Sequence, residues 1–581
     1  MASTLELSAT LPRPHMPPTA ATISVAEVLK LLDTQFVGVA AGMSRGEYVL
    51  WLGSGISRNR VDGLPEVLRR VLTFLQEQIA PADPTCRFRQ AIKAVFGAAG
   101  LTAAERDAVD VALPVDQWPG IEALITRLSA SYAKVLGVHV TNEPLDYLLW
   151  SAADVRHTYA RADLVPDVEH ASIAILGLEG AVSQIATANW DGLIEKAFSD
   201  LDGSSALGVV VAAEDLQAQP ARRVRLIKFH GCAVLARSDE GKYRPLLVAR
   251  QSQIDGFTAE PSHAAVVLVL TTLLMTQPTL MVGLSAQDSN IRLLVAQAAG
   301  ILPWRWPASP HACVFCEDEL SADHGSALER AYGADYAAHS ADIRKSAVVP
   351  AYGKPLLLAL ALHCLTDKLC VLAGIASQRL SAADVASLKG ALVELRNIVG
   401  ASSAPAPLDL VQRLVRTMSN ALAIFEEGAA PVVAGPVRYR PISMQPACQI
   451  AAHHSPTSGR AELAVALALL ALGHHNKTWS LSHSSAVSDG SIVVDAPAGR
   501  ATLFLVANEQ AAIGLGDHHT LDGRTVVVHS LKRAPRVARS PVGPRGRTGS
   551  SVPREVSIGQ ILSEVTTLRD LTERFRHEAV L

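Results

Sequence analysis

Four short segments constrain the fold of this chain more than any other feature. Residues 51–57, 186–191, 228–231 and 281–285 each begin as an apolar run and end in small, polar or glycine residues, and 288–291 follow the last of them. This transition is typical of a buried strand that ends in a loop. Because ligands bind at the carboxyl ends of the strands in an open parallel sheet, the ordered set predicts one site built from several strand ends.

Strand and helix signals alternate along the first two thirds of the chain, with helical patterns notably at 192–200 and 263–276. The predicted strands are 48–52, 184–187, 224–229, 279–283 and 313–315. Such alternation predicts an α/β fold with a doubly wound, parallel, Rossmann-like sheet. The helical patterns that fill residues 67–181 predict a large insertion that caps this sheet.

Changes in composition divide the chain into four predicted regions. Residues 1–22, rich in alanine and proline, are predicted to be a disordered lead-in, and 23–375 form the α/β domain. A helical segment and linker is predicted at 376–440. Residues 441–581 are predicted to form a smaller α/β domain that regulates the first or binds a partner. This last region also carries a basic loop at 532–554 and a final amphipathic helix at 558–575.

Length and charge exclude several classes of protein. A chain of 581 residues is too long for a single ordinary core. Its 52 basic and 55 acidic residues give a net charge of -3, which excludes a global attraction to nucleic acid or anionic membranes. The most apolar runs, 264–275 and 355–365, are shorter than the roughly 18 to 20 residues that cross a bilayer. We therefore expect a cytoplasmic protein without a membrane partner.

The cysteines and histidines do not predict a metal site. The seven cysteines are odd in number and scattered, which argues against a disulfide framework. Cys313 and Cys316 form a C-x-x-C within a predicted strand, and a second pair that would complete a zinc site is absent from the sequence. The His-His pairs 453–454, 474–475 and 518–519 are interpreted as surface loops, because adjacent side chains diverge. Convergence of several pairs on a metal ion is the alternative.

The basic loop at 532–554 has two interpretations. Its lysines and arginines lie among prolines, glycines and serines, which favours a solvated loop. Contact with nucleic-acid phosphates is the alternative. The loop lacks the aromatic residues that stack on bases, so we expect nucleic acid to act on this protein only indirectly.

The four strand-end segments together resemble the sirtuin family, and more closely its bacterial antiphage-defence branch. Typical sirtuins carry a G-A-G-x-S turn, T-x-N-x-D and H-G strand ends, and a late G-x-S followed by N. The corresponding segments here are Gly53-Ser-Gly-Ile-Ser57, Thr187-Ala-Asn-Trp-Asp191, His230-Gly231, and Gly283-Leu-Ser285 with Asn290. The resemblance covers residues from about 30 to 370 and does not extend to the C-terminal third.

The chain departs from the protein-deacylating sirtuins after His230. Those enzymes carry two C-x-x-C pairs and a strand-forming segment that clamps an acyl-lysine peptide. Here Cys232 alone follows, and residues 237–245 are polar. Defence sirtuin-like domains lack the zinc ribbon and hydrolyse NAD, so the resemblance implies an NAD hydrolase that takes NAD as its substrate.

The resemblance implies that the first turn holds the pyrophosphate of NAD. Backbone N–H groups of Gly53, Ser54 and Gly55 would cradle it at a helix N-terminus. Ser57 and Arg60 would contact phosphate or ribose. An ordinary tight turn is the alternative interpretation of the same glycines.

The resemblance implies that Asn189 and His230 are catalytic. The Asn189 amide can donate and accept at once, which suits a ribose hydroxyl or the attacking water. His230 titrates near neutrality and would serve as general base. Asp191 would bind the nicotinamide carboxamide. Helix capping is the alternative for Asn189 and Asp191, and a purely structural role is the alternative for His230.

The late strand end is expected to hold the adenosine half of NAD. Gly283 and Ser285 would line that half, and Asp288 and Asn290 would hydrogen-bond ribose or adenine. A strand-to-helix cap is the alternative.

These inferences predict an NAD+ glycohydrolase that is the abortive-infection effector of an antiphage system. We expect a homo-oligomer controlled by a co-encoded sensor or activator protein. Two other classes stay open. A non-catalytic NAD or ADP-ribose sensor would need neither Asn189 nor His230, and an NAD-dependent protein deacylase would need the missing zinc ribbon.

Overall fold

A seven-stranded parallel sheet organises the first part of the chain. The computed structural model describes residues 18–203, 205–218, 222–285, 288–404, 406–430, 438–453, 455, 458–482, 490–519, 521–531 and 553–581. The strands of the sheet are β1 (Val49–Leu52), β2 (Gln184–Thr187), β3 (Leu207–Val210), β4 (Val224–Lys228), β5 (Thr279–Val282), β6 (Cys313–Cys316) and β7 (Val348–Val349). Their spatial order is β3-β4-β2-β1-β5-β6-β7, and every neighbouring pair is parallel. The predicted parallel α/β fold is therefore confirmed, and the short edge strands β3 and β7 were not predicted.

Helices in the described ranges cover the sheet and build the units beside it. The helices up to the end of the sheet are α1 (Val25–Thr34), α2 (Val37–Ser44), α3 (Leu64–Glu77), α4 (Arg87–Ala98), α5 (Ala103–Asp107), α6 (Ile121–Ala130), α7 (Tyr132–Leu136), α8 (Val155–Thr158), α9 (Val168–Leu178), α10 (Leu193–Asp202), α11 (Ala213–Ala218), α12 (Ala233–Ser238), α13 (Glu240–Tyr243), α14 (Gln251–Gly256), α15 (Ala264–Thr276), α16 (Ser289–Ile301), α17 (Ala322–Tyr332) and α18 (Ala334–Ser346). The later helices are α19 (Gly353–Ala376), α20 (Ala382–Ala401), α21 (Pro407–Glu427), α22 (Ala447–His453), α23 (Arg460–His475), α24 (Glu509–His518), α25 (Ile558–Glu564) and α26 (Leu568–Ala579).

Both faces of the parallel sheet are buried, as expected for a doubly wound arrangement. Alternate side chains of β1 enter different cores because successive side chains point to opposite faces of a strand. Leu50 and Leu52 pack in the layer that contains α1, α9 and α19. Val49 and Trp51 pack in the layer that contains α15 and α16. The central strand is therefore apolar throughout.

The helical insertion after β1 has two parts. Helices α3, α4, α6, α7 and α8 share a core of their own, which includes Ile92, Leu128 and Leu149 and also Ala233 and Leu247 from the chain after β4. These helices form the cap. Helix α9 instead packs beneath the sheet with α10 and α19. The predicted insertion at 67–181 therefore contains a cap followed by a helix of the main layer.

A second sheet organises the C-terminal part. Its strands are β8 (Ser480–Ser482), β9 (Ile492–Ala496), β10 (Gly499–Val506), β11 (Thr525–His529) and β12 (Arg554–Ser557), in the order β12-β11-β10-β9-β8. Strands β10, β11 and β12 are parallel, whereas β8, β9 and β10 are antiparallel. Helices α23, α25 and α26 cover one face, and α21 and α24 the other. This is the smaller α/β unit that the sequence predicts.

Two sequence predictions need correction. Residues 18–22 are not disordered, because Ala20 is buried and its N–H donates to the Asp318 carboxylate. Residues 1–17 and most of the basic loop, 532–552, lie outside the described residues. The single helix predicted at 558–575 is two helices, since the chain turns after α25 and Thr567 caps the N-terminus of α26.

Helix α19 belongs to both cores. Its first half, including Leu356 and Leu360, packs beneath the parallel sheet. Its second half, including Leu365 and Leu372, packs with α20 and α23 in the C-terminal core. By length and composition α19 could span a bilayer, and 78% of its most apolar 18-residue window is buried inside the protein. The apolar run at 355–365 is thus part of a longer helix than the sequence predicted, buried between two units.

A buried ion pair ties the same units together. Lys368 on α19 donates to the Glu179 carboxylate at 2.6 Å, and both side chains are 1% exposed. The Glu179 carboxylate also accepts from the Tyr439 hydroxyl at 2.7 Å and from the Ile442 N–H at 2.9 Å. Lys368 further donates to the Ser443 carbonyl at 2.7 Å. One carboxylate and one ammonium therefore fix the entry to the C-terminal unit against α9 and α19.

Replacement of Lys368 by methionine should destabilise the protein strongly. A buried carboxylate that loses its partner costs about 3–5 kcal/mol of the free energy of unfolding. Denaturant unfolding of Lys368→Met measures this loss, and adding Glu179→Gln should recover part of it. Lys196→Met is the matched control, because Lys196 pairs with Asp200 at the surface. Equal effects of the two lysine substitutions would contradict the prediction.

Candidate functional site

The loops after β1 and β5 meet at the crevice where the sheet changes direction. The chain leaves β1 toward β2 on one side and leaves β5 toward β6 on the other, which is the topology that opens a ligand crevice between two strand ends. A Cβ atom on Gly53 would lie 2.3 Å from the Gly283 carbonyl oxygen. One on Gly55 would lie 2.6 Å from the Gly283 Cα, and Gly283 itself has a φ of +64°. These three glycines are required for the contact between the two loops.

The predicted phosphate cradle has fewer free N–H donors in the structure than the sequence suggested. The Gly53 N–H donates to the Val282 carbonyl and the Gly55 N–H to the Gly283 carbonyl, both at 3.1 Å. The helix that follows is a short 3-10 turn, Ser54–Ser57, and α3 begins only at Leu64. Of the three predicted N–H donors, the described residues leave only that of Ser54 without a partner. The glycines therefore serve mainly to bring β1 and β5 together.

Ser57 is the centre of a buried network that reaches Asn189. The Asn189 amide nitrogen donates to Ser57 Oγ at 3.2 Å, and His170 Nε2 lies 3.2 Å from the same oxygen. His170 Nδ1 accepts from the Asp167 N–H at 3.1 Å. Burial lowers the pKa of His170 to about 4, so the ring is neutral at pH 7 and its hydrogen is on Nε2. Ser57 Oγ thus accepts two hydrogen bonds, and its own hydroxyl hydrogen is left to donate.

Asn189 is oriented toward the crevice network rather than toward a helix. The N-cap of α10 is Gly192, and Asn189 is not its cap. The Asn189 side chain is bound to Ser57, and its buried Oδ1 has no hydrogen-bond partner among the residues that the structure describes. An unpaired buried amide oxygen is costly, so such atoms in native proteins require an explanation such as a ligand or a bound water. The alternative of helix capping is therefore wrong for Asn189.

His230 lies at the end of β4 and contacts Asn290. Asn290 Nδ2 is 2.7 Å from His230 Nε2, and the two residues are 0% and 4% exposed. Burial lowers the pKa of His230, while the negative charge of Asp288 acts in the opposite direction. The neutral ring accepts at Nε2 and carries its hydrogen on Nδ1. Asn290 Oδ1, like Asn189 Oδ1, is buried and finds no partner within the described part of the chain.

The start of α16 is bound to the helical cap. Asp288 is the N-cap residue of α16, and the Tyr132 hydroxyl of α7 donates to its Oδ1 at 2.5 Å. Burial raises the pKa of Tyr132 well above its usual range, so the phenol remains a donor. Ser285 lies in the same loop, of which residues 286–287 are outside the described part. The structure thus places Asp288 and Asn290 beside the cap and His230.

Two predicted residues make contacts that were not foreseen. Arg60 donates to Asp167 at 3.0 Å, and Lys354 reaches the same carboxylate at 2.7 Å. Burial alone would raise the pKa of Asp167, but the hydrogen bonds from these two cations lower it below its usual range. Asp191 is a buried residue whose carboxylate accepts from the Leu193 N–H at 3.1 Å. Asp191 therefore satisfies a backbone N–H in the first turn of α10, although the N-cap residue of that helix is Gly192.

Several residues near the site were not predicted from the sequence. His170 holds Ser57, Tyr132 holds Asp288, and Glu169 is buried beside His170 with one carboxylate oxygen unpaired. Burial raises the pKa of Glu169 to about 7. The only local signal was the polar run 167–170 at the start of an otherwise apolar helix. Within the described ranges, no three His, Cys, Asp or Glu side chains converge on a possible metal site, and Cys313 and Cys316 are buried in β6.

Ser57→Ala should lower the free energy of unfolding by about 1–3 kcal/mol, because it leaves the buried donors of Asn189 and His170 without an acceptor. Chemical denaturation measures the change. Ser54→Ala is the control three residues away, where the side chain is exposed and the expected change is within about 0.5 kcal/mol. A silent Ser57→Ala would mean that the buried network does not form.

His170 should also make stability depend on pH. Its pKa is about 4 in the folded protein and about 6.5 when unfolded. Because the unfolded chain binds the proton first, the free energy of unfolding should fall as the pH drops from about 6.5 to 4. The difference between unfolding curves of the wild type and His170→Gln isolates this contribution, which we expect to be a few kcal/mol. Parallel pH profiles of the two proteins would contradict it.

Comparison with known families agrees with this geometry. Residues 183–337 match the family model described as a SIR2-like domain. The matched range includes Asn189, His230 and Asn290, whereas β1 and its glycine turn lie before it. No curated protein matches the chain. A SIR2-like domain implies the binding or use of NAD, and the crevice described above lies between β1, which precedes the matched range, and β5, which is within it. The chain therefore contains a SIR2-like domain, built on a Rossmann-like parallel sheet.

Proposed function

We propose that the SIR2-like domain hydrolyses NAD+ to nicotinamide and ADP-ribose. The observation that carries this proposal is the pair of buried amide oxygens, Asn189 Oδ1 and Asn290 Oδ1, which have no partner and belong to residues bound to Ser57 and His230. Polar atoms that are buried and unsatisfied are expected where a polar ligand supplies the missing partner. The crevice beside them is where a nucleotide binds in sheets of this topology.

The reaction breaks the bond between nicotinamide and the ribose C1′ and forms a bond from C1′ to a water oxygen. The bonding electrons leave with nicotinamide, which becomes neutral, and the water loses one proton. The transition state is expected to have oxocarbenium character, as in glycoside hydrolysis. The protein must therefore hold the ribose, position one water and accept a proton.

The residues of the crevice suit these tasks. Asn189 Oδ1 can accept from a hydroxyl or water, while the free hydroxyl hydrogen of Ser57 can donate to the same group. His230 is neutral and can take the proton as general base. The Ser54 N–H remains for a phosphate oxygen. Arg60 and Lys354 both bind the Asp167 carboxylate. We therefore assign Arg60 to the edge of the crevice and not to direct binding of phosphate.

The two other functions are less well supported. A deacylase needs a groove for an acyl-lysine peptide, and in the described stretch 222–285 the chain after His230 continues as helices α12 to α15. A sensor that binds NAD without cleavage has no need of a buried neutral base next to a second amide. We also propose, from the resemblance alone, an abortive-infection effector in the cytoplasm. In that proposal it is a homo-oligomer under a co-encoded sensor or activator, without a membrane partner and with nucleic acid acting only indirectly.

Purified protein should convert NAD+ to nicotinamide and ADP-ribose, alone or with its genomic-neighbour proteins and phage lysate. Asn189→Ala and His230→Ala should each lower the rate by at least about 100-fold, since a general base and a positioning group each contribute effects of that size. Chromatography of the products measures both the rate and their identity.

Exposed residues of the C-terminal unit provide controls for the same substitutions. Asn476→Ala and His577→Ala should cleave NAD+ at the wild-type rate. Thermal unfolding of all four variants distinguishes a lost site from a lost fold. If the wild type binds NAD+ but does not cleave it under any trigger, the hydrolase proposal fails and the sensor takes its place.

A further inference from the structure

Asn290 contacts His230, whereas the sequence predicted that it would hydrogen-bond the adenosine half of NAD. It lies in the first turn of α16, after β5, whereas His230 lies at the end of β4, three positions away in the sheet order. Its amide nevertheless reaches Nε2 of the ring at 2.7 Å. Both side chains are buried, so water does not compete for this bond. A contact of this kind fixes the plane of the ring and determines which nitrogen carries the hydrogen.

We propose that Asn290 is the positioning residue of His230 and that Tyr132 of the helical cap holds the start of α16 in place for it. This proposal rests on the proposed hydrolysis of NAD, because it assigns the control of the base in that reaction. It replaces the expectation that Asp288 and Asn290 bind the adenosine half.

The amide of Asn290 can serve both states of the ring. While the ring is neutral, Nδ2 donates to the Nε2 lone pair, as observed. After rotation of the amide, the unpaired Oδ1 accepts from an Nε2–H, and Nδ1 then has the lone pair that takes a proton. In the hydrolysis that proton comes from the attacking water and is later released to solvent. The single unpaired oxygen of Asn290 is thus in reach of Nε2, the ring nitrogen that keeps its hydrogen while Nδ1 takes the proton.

Two aromatic rings also pack against His230. Phe229 and Phe257 present ring faces and edges to it, at centroid distances of 4.8 and 6.3 Å. The charged or titratable groups that act on its pKa are Asp288, which raises it, and His263, which lowers it. Burial outweighs both and lowers the pKa. A change at Asn290 should therefore be visible in the titration of the ring.

A side-chain hydrogen bond joins the cap to the helix that carries Asn290. Tyr132 OH donates to Asp288 Oδ1 at 2.5 Å, and Asp288 precedes Asn290 by two residues at the N-terminus of the same helix. Movement of α7 away from the sheet would break this bond and leave the start of α16 held by the hydrogen bond from Ser289 to Asp255 of α14 at 2.7 Å. The geometry of the base is therefore coupled to the closure of the cap, which gives a partner that binds the cap a route to the site.

The test compares Asn290→Ala, Asn290→Asp and Tyr132→Phe with the wild type. Asn290→Ala should lower kcat by about 100-fold with little change in the Kd for NAD+, because a misplaced base slows the reaction without loss of a substrate contact. Asn290→Asp accepts from Nε2–H and stabilises the protonated ring, so the acid limb of the kcat profile should move up by about one pH unit. Tyr132→Phe should lower kcat by a smaller factor, and the surface variant Tyr336→Phe should not.

A second measurement does not depend on cleavage. In protein labelled with 15N-histidine, the His230 signals, assigned by their loss in His230→Ala, report the tautomer and its titration. Asn290→Asp should raise the pKa of His230, whereas Tyr336→Phe should leave it unchanged. If the wild type is inactive but this shift occurs, the hydrolase proposal fails and the positioning contact stands. A raised Kd for NAD+ with unchanged kcat and an unchanged histidine titration in the Asn290 variants would overturn the inference.

Discussion

The approach of the β1 and β5 loops is the constraint on which the site depends. Two neighbouring parallel strands leave a crevice between their ends when the chain continues from them to opposite sides of the sheet. Here the backbones on either side of the crevice touch through Gly53, Gly55 and Gly283. A side chain at any of the three would collide with backbone, which cannot move aside as a flexible side chain can. The contact fixes Ser57 on one side and the start of α16 on the other. The buried polar groups are then aligned across the crevice.

The arrangement of those polar groups lowers the stability of the fold, because some of them are buried without a hydrogen-bond partner in the described residues. Buried amide oxygens of Asn189 and Asn290 lack partners, and Glu169 retains an unpaired oxygen in an apolar layer. The histidines are held neutral by burial, and each has a hydrogen bond that determines its tautomer. A site intended only for stability would pair these atoms with each other. In the proposed function, a polar substrate would donate the hydrogen bonds that the two amide oxygens lack.

The C-terminal unit is attached to the SIR2-like domain through its core rather than by a flexible linker. Helix α19 contributes to both hydrophobic cores, and the Glu179–Lys368 pair holds the first residues of the second unit. A signal received by that unit would therefore be transmitted through α9 and α19. The N-terminus of α9 carries His170 and the network of Ser57. The physical connection between the two units thus reaches the crevice at the ends of β1 and β5.

The sequence by itself determined the elements and the order of the site. Short apolar runs that end in glycine or polar residues located β1, β2, β4, β5 and β6 to within one residue, because both signals are local. The resemblance to sirtuins named Asn189 and His230. The local signals missed β3, β7 and the division of the last helix, where apolar runs are too short or too continuous. Only the tertiary structure decided which side chains of the site are hydrogen-bonded to each other. Ser57 meets His170 across 113 residues, Asn290 meets His230 across 60, and Tyr132 meets Asp288 across 156. Those pairings depend on strand order and on where the cap lies, and no local pattern in the chain encodes either.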